Sequence, residues 1–259
     1  MSIDINELLR FANTFADKSR SILKKNYFKN FKIEEKKDGS LVTEIDKEIE
    51  LLFRKELKKR FSNHGIVGEE YGNDNQDNEY VWVIDPLDGT HNFIAGKPLF
   101  GTLICCLKNN KSIMGIIDIP ILDQRWHGGE GWGVRLNSNK CPAYSSKKEY
   151  KKIIISSTSL MMFEEENEKK IREIYNKIRF PIFGTDCYAY GLMLSGKIDM
   201  IIEENMKPWD YLAQVALIDE QGGTITDWDG KKLGLKSDGK IIASIEKNHH
   251  NKTLEYLKN

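Results

Sequence analysis

In the stretch Trp82-Val83-Ile84-Asp85-Pro86-Leu87-Asp88-Gly89-Thr90, two carboxylates stand three residues apart at the end of an apolar run. Residues 80–84, rich in β-branched and aromatic side chains, read as a buried strand. Pro86 cannot continue the strand's hydrogen bonding, and Gly89 permits a tight turn. Asp85 and Asp88 therefore leave the strand end together and converge. Carboxylates that close repel each other unless a cation lies between them. Hard oxygen ligands suit Mg²⁺ or Mn²⁺, ions that commonly partner phosphates. The spacing points to metal-assisted phosphate chemistry.

Other acids could join this pair, and each has a structural reading as well. Glu69 and Glu70 follow a short strand and a glycine, so one of them can point into the cleft of Asp85; the alternative is a pair of exposed loop glutamates. Asp46 lies in Thr43-Glu44-Ile45-Asp46, which also satisfies a capping box. Asp210 follows Pro208-Trp209 at a helix start, where the helix dipole alone would favour an acid.

The elements that must position these groups can be read from periodicity. Ile5, Leu8, Leu9, Ala12, Ala16 and Leu23 recur at helical spacing. A polar turn is expected over 36–40. A second helix starts near Thr43, with Ile45, Ile49, Leu52, Phe53 and Leu57 on one face, and stops at 62–65. Strands are expected over 65–68, 101–107, 112–119, 152–156, 197–203 and 223–227, and helices over 162–178, 187–195 and 208–221. Residues 73–79 read as a loop and 128–133 as a glycine-rich turn. That turn lacks the G-x-G-x-x-G pattern of a dinucleotide site. The polar stretch 137–149 reads as a join between an N-terminal α+β half, 1–143, and a C-terminal α/β half, 144–259. Interleaved strands and helices with some adjacent strands predict a layered, mixed α/β (α+β) structure.

The bulk composition narrows the function classes. The 259 residues are 40% hydrophobic and 30% charged, enough for a core, and 39 basic side chains balance 39 acidic ones. Zero net charge supplies no global field for nucleic acid or an anionic membrane, so neither is an expected partner. No apolar run approaches the ~18 residues that span a bilayer. The first residues lack a basic and then apolar leader pattern, which leads to the expectation of a cytoplasmic protein. Cys105, Cys106, Cys141 and Cys187 form no C-x-x-C pair and read as small core residues. His249-His250 reads as part of a solvated polar tail.

Taken together, Val42-Thr43-Glu44-Ile45-Asp46, Gly68-Glu69-Glu70, Trp82 to Thr90 and Trp209-Asp210 resemble, in order and spacing, the inositol monophosphatase superfamily. The resemblance covers nearly the whole chain. It implies the αβαβα sandwich of the inositol monophosphatase and fructose-1,6-bisphosphatase type. It also implies a Mg²⁺-dependent phosphomonoesterase with two or three ions, Mn²⁺ being an alternative, that acts on a small phosphorylated metabolite. By position, Glu69, Asp85, Asp88, Asp210 and the Leu87 carbonyl would hold the metal. Asp46 and Thr90 would orient a water, and Glu69 or Asp46 would accept its proton. The amides of Gly89 and Thr90 would hold phosphate oxygens. Members of this family often dimerise, so a homodimer is a further expectation.

The second half resembles the histidinol-phosphatase branch, through Gly184-Thr185-Asp186-Cys187-Tyr188-Ala189-Tyr190-Gly191 and Lys207-Pro208-Trp209-Asp210. Asp123 to His127 and Thr226 to Gly230 fit the same group. Histidinol phosphate carries an amine and an imidazole, so Asp186 or Glu203 could pair with a cation that inositol lacks. The alternative for Asp186 is a helix N-cap, and Tyr188 and Tyr190 read as core or wall. His91 departs from the residue usual in either branch. The implied reaction is L-histidinol phosphate and water to L-histidinol and phosphate. The alternatives are an inositol or broader sugar phosphatase and, from another class, a non-catalytic regulatory member. Retention of four acidic ligands with Asp46 and Thr90 argues against the last.

Overall fold

The computed structural model describes residues 4–36, 39–141 and 147–258. Helix α1 (Ile5–Asn26) is followed by strands β1 (Ile33–Glu35) and β2 (Leu41–Thr43), which form a small hairpin, and by α2 (Glu44–Arg60). Next come β3 (Gly65–Gly68), β4 (Gly72–Asp74), β5 (Tyr80–Asp88) and the short α3 (Thr90–Ile94). Strands β6 (Gly101–Lys108), β7 (Lys111–Ile119), β8 (Gln124–Gly129), β9 (Gly133–Leu136) and β10 (Asn139–Lys140) complete an eight-stranded sheet in the order β10-β9-β8-β7-β6-β5-β3-β4. The rest of the chain is β11 (Ile154–Ser157), α4 (Glu165–Tyr175), β12 (Phe180–Phe183), α5 (Cys187–Leu194), β13 (Met200–Glu203), α6 (Pro208–Gln221), β14 (Thr224–Thr226), β15 (Ile241–Ser244) and α7 (Lys247–Lys258). Its strands form a second sheet in the order β12-β11-β13-β15-β14.

Side-chain alternation stacks these parts into five layers. Trp82, Ile84, Ile104 and Cys106 face one way from the large sheet and pack under α1 and α2 with Leu8, Phe15, Ile49 and Phe53. Val81, Val83, Leu103 and Cys105 face the other way, onto α5 and α6, whose far side meets Ile201, Ile241 and Ala243 of the small sheet. Ile155, Met200, Ile202 and Ile242 then face α4 and α7. The expected αβαβα sandwich is the fold. Helix α6 lies between two sheets and is apolar nearly all round, as a central helix must be. Gly115 of β7 lets it approach: a Cβ there would stand 2.1 Å from the Ala213 carbonyl oxygen. All strands of the large sheet precede residue 141 and all of the small sheet follow 153. The expected junction at 143/144 falls within 142–146, and part of the expected turn falls on Lys37 and Asp38; both lie outside the described residues.

Several expectations are corrected. The helix expected over 162–178 is α4 alone; Leu160–Met162 is a separate 3₁₀ turn begun by Ser159. Gly128 and Gly129 are not in a turn but pair with Gly115 and Met114 inside the sheet. The loop expected from residue 73 begins as β4, which pairs with β3. His249-His250 is not a solvated tail. Both residues are buried in α7, where His250 Nε2 meets Thr226 Oγ1 at 2.9 Å and His249 Nε2 meets the Lys148 carbonyl at 2.9 Å. Polar neighbours in sequence hid a helix that buries one stripe against the small sheet. The cysteines are free and buried, as expected.

Burial pushes His250 down to about 4. The unfolded chain therefore binds a proton that the folded one refuses between the ordinary value near 6.5 and about 4. The stability in question is present above 6.5 and is lost as pH falls through that window, by roughly 2–4 kcal/mol in all. Urea unfolding from pH 7 to 4 should show a steeper decline for the natural protein than for His250→Gln. Parallel curves would rule out this account of α7.

Candidate active site

Strands β3 and β5 run parallel, with Gly68 opposite Ile84, so Glu69 and Asp85 emerge side by side at their carboxyl ends. Between Asp85 and Asp88 the pairing of β5 with β6 shifts register: Asp85 faces Leu103 and Asp88 faces Gly101. Pro86 lies in this bulge, where its carbonyl accepts from Thr102 Oγ1 at 2.9 Å. The Leu87 amide closes a turn onto Asp85 Oδ1 at 2.9 Å. Gly89 then takes a φ of 80°, in the left-handed region, and opens α3.

Asp210 arrives from the opposite side. It stands in the first turn of α6, and its Oδ2 accepts from the Lys207 amide at 2.7 Å. The capping role and the site role are thus filled by one carboxylate. Ligand oxygens of Asp85, Asp88 and Asp210 lie within 4.8 Å of one another. Asp88 Oδ2 also accepts from the Cys187 amide, 2.8 Å away, at the start of α5. These three acids line a cavity of about 180 Å³ with Glu69, Leu87, Gly89, Thr90 and Asp186.

The charge in this cleft is one-sided. Burial, then the neighbouring Glu69 and Asp88, push Asp85 well above the usual carboxylate range. Burial raises Asp210 similarly, aided by Asp88 and Glu69, and takes Asp88 up to about 6. An all-carboxylate, partly buried set of this kind fits a hard divalent cation, which would relieve the repulsion and supply the missing countercharge.

Asp46 also does two things. One oxygen completes the capping box of α2, accepting from the Thr43 hydroxyl and from the Thr43 amide at 3.0 Å. The other lies 3.4 Å from Thr90 Oγ1, a hydroxyl that donates its proton to the Leu87 carbonyl at 3.0 Å. Burial holds Asp46 up at about 6.

Several contributors were not read from the sequence. Lys36 Nζ bridges Glu69 Oε1 at 2.7 Å and Glu70 Oε1 at 2.8 Å. Glu70 is therefore not a free loop acid, and burial takes it up to about 7. Glu50, one turn after Asp46 and fully buried, accepts from the Glu70 and Tyr71 amides at 2.7 and 3.1 Å and so shapes the turn that carries Glu69. Its spacing from Asp46 on one helix was the available signal. Asp186 precedes α5 yet its side chain makes no cap hydrogen bond, so the capping alternative fails. It adopts a φ of 43°, costly for a residue with a Cβ, and its carboxylate accepts from Asn92 Nδ2 of α3. Glu203 is buried at the end of β13, and its oxygens accept from Thr158 and Tyr190, which themselves line the cavity. His91 lines it as well.

The family model described as Inositol monophosphatase family matches residues 4–259. The chain belongs to that family. It is 39% identical to the bifunctional phosphatase IMPL2, chloroplastic, of Arabidopsis thaliana, over 97% of this chain and 76% of the relative. It is 26% identical to a histidinol-phosphatase of Chlorobaculum parvum, over 91% of this chain and 92% of the relative. A solved structure of an inositol monophosphatase from Zymomonas mobilis superposes with a TM-score of 0.89 at 30% identity, covering 100% of both chains. The chain is thus a phosphatase of this family, with an acidic cluster able to hold a metal ion. Among the described residues, no helix is long and apolar enough to cross a membrane.

The one-sided charge has a measurable consequence. A carboxylate raised by folding contributes stability below its unfolded value and loses it as pH rises. In metal-free protein at pH 7, Asp85→Asn should therefore raise the melting temperature. Added Mg²⁺ should stabilise the natural protein and not the variant. A variant that melts lower without metal would refute the repulsion argument.

Proposed function

We propose that this chain is a Mg²⁺-dependent histidinol-phosphate phosphatase that converts L-histidinol phosphate and water to L-histidinol and phosphate. The observation that carries this reading is Asp186. A strained backbone and Asn92 hold its carboxylate at the wall of the cavity that contains the acidic cluster, although the helix it precedes does not use it. A second negative locus beside a phosphate site suits an ester whose organic part is cationic. The kinship with a histidinol-phosphatase supports the same choice.

Asp85, Asp88 and Asp210 would hold the ions, two or three in number, with Glu69 and the Leu87 carbonyl beside them. When bound, the ions supply positive charge that acidifies water and neutralises charge building up on phosphate. The side chains of the protein do the rest. Thr90 Oγ1, tied to the Leu87 carbonyl and to Asp46, orients the attacking water. Asp46, its pKa near 6, is matched to take the water's proton near neutral pH. The amides of Gly89 and Thr90 hold the phosphate oxygens, and Asp186 holds the substrate's ammonium or imidazolium. The reading includes a cytoplasmic enzyme acting on a small metabolite.

A second reading, an inositol or broader sugar phosphatase, is favoured by the likeness to the Zymomonas inositol monophosphatase. Phosphate release with Mg²⁺ from L-histidinol phosphate, inositol 1-phosphate and fructose 1,6-bisphosphate decides between them. The first should show the highest kcat/KM. Asp186→Ala should cut its advantage by roughly 10- to 150-fold, the value of a hydrogen bond to a charged group. Equal slowing of all substrates would make Asp186 structural, and a natural preference for inositol 1-phosphate would leave the second reading standing. Thr90→Ala should lower kcat by roughly 10²-fold with the fold intact. A change in KM alone would make Thr90 a binding residue.

A further inference from the structure

Residues 69–71 join β3 to β4, and Gly68 and Gly72 face each other across the join. The amides of Glu70 and Tyr71 both point at one carboxylate, that of Glu50: Oε2 accepts from Glu70 at 2.7 Å and Oε1 from Tyr71 at 3.1 Å. Glu50 is fully buried, and an ionised carboxylate persists there only with a countercharge. Arg54, one turn further along α2, supplies it. Its Nε and Nη2 donate to Glu50 Oε1 at 2.9 and 2.7 Å. The same guanidinium reaches past the turn, donating from Nη2 to the Gly72 carbonyl and from Nη1 to Asp74 Oδ2 at 2.8 Å. One planar fork thus ties α2 to the carboxylate beneath the turn and to the strand that leaves it. An ammonium on a flexible stem could not fix those directions at once.

Strand β3 makes room for this pair. A Cβ at Gly68 would stand 2.1 Å from Glu50 Oε1 and 2.9 Å from Arg54 Nη2. Gly68 does not take a positive φ, so glycine is needed there for space and not for conformation. Arg54 itself stands apart from the cavity of the acids: it lines a second one, of about 340 Å³, with Lys58, His64 and Asp74.

We infer that Arg54 is a positioning residue of the metal centre: by neutralising and orienting Glu50 it fixes the turn that aims Glu69, and so sets the affinity for Mg²⁺ and not the rate of the chemical step. The inference rests on the proposed place of Glu69 beside the ions, and adds to it a residue that touches neither ion nor substrate. Lys36 holds the Glu69 side chain from the rim, whereas Arg54 acts on the backbone beneath it. Without the guanidinium, Glu50 must take up a proton or draw in water, and either response weakens its grip on the two amides. Glu69 then loses its fixed direction toward Asp85, and metal affinity falls.

Mg²⁺ binding without substrate, followed by calorimetry and by Mg²⁺-dependent thermal stabilisation, tests this. Arg54→Met should weaken binding roughly 10-fold or more, the effect of losing a group that orients a ligand. Arg54→Lys, which returns the charge without the fork, should recover part of the loss. At saturating Mg²⁺, kcat should stay near its natural value in both. Beside Glu69→Gln, where the turn no longer carries a charged ligand, Arg54→Met should weaken binding no further; a purely structural residue would weaken it by the same factor in either background. Unchanged affinity in Arg54→Met, an equal loss beside Glu69→Gln, or a fall in kcat with affinity intact would overturn the inference. Should Arg54→Met fail to fold, Arg54→Lys is carried through the same comparison, and unchanged affinity there overturns it equally. If the natural protein binds no Mg²⁺, the metal reading falls and takes this inference with it. If the natural protein binds Mg²⁺ and the variants bind it as tightly, the inference falls alone.

Discussion

Three carboxylates from distant parts of the chain meet at one poorly hydrated point, and the fold around them holds that repulsion in place. Oxygens of Asp85, Asp88 and Asp210 lie within 4.8 Å of one another. Left to themselves, such groups would separate or take up protons. Their backbones prevent separation. The bulge after Asp85 fixes two of them to the sheet, and the first turn of α6 fixes the third to a helix wedged between two sheets. Protonation is the remaining response without an ion, which is the direction in which all three groups are shifted.

Backbone amides hold the acids in orientation without neutralising them. Asp85 accepts from Leu87, Asp88 from Cys187 and Asp210 from Lys207. The nearby ammonium, Lys36, is engaged by Glu69 and Glu70 at the rim of the group. A hard cation would supply the countercharge and accept the geometry of such oxygens. The same economy runs through Asp46, which caps α2 with one oxygen and meets Thr90 with the other.

The organic part of a substrate meets different chemistry. Asp186 is held in a φ that glycine would adopt more readily, with its carboxylate on Asn92 of α3, the short helix that follows the aspartate motif. Strain at a polar residue persists only where surroundings over-determine it, and it concentrates at functional positions. Burial takes both Asp186 and Glu203 up to about 7, with the charge of Lys97 acting against the rise at Asp186. On the proposed reading, phosphate recognition and selection of the alcohol are carried by separate groups in one cleft.

Local order was legible in the sequence wherever one physical signal dominated. An apolar run fixed β5, helical spacing fixed α1 and α2, and Pro86 with Gly89 marked the break at which Asp85 and Asp88 turn inward. The polar sequence of α7 and the short strands β12 and β15 gave no such signal, because their burial depends on neighbours far along the chain. The interleaving of elements gave a layered mixed α/β structure, and the family resemblance implied its αβαβα order and the acids at its centre. Only the tertiary structure decided that Asp186 is no cap, that Glu203 addresses Thr158 and Tyr190, and that Lys36 and Glu50 serve the Glu69 turn. A residue's type and local spacing set what it can donate, accept or bury. Which partner takes it up is a matter of distances between segments, and those exist only once the layers have packed.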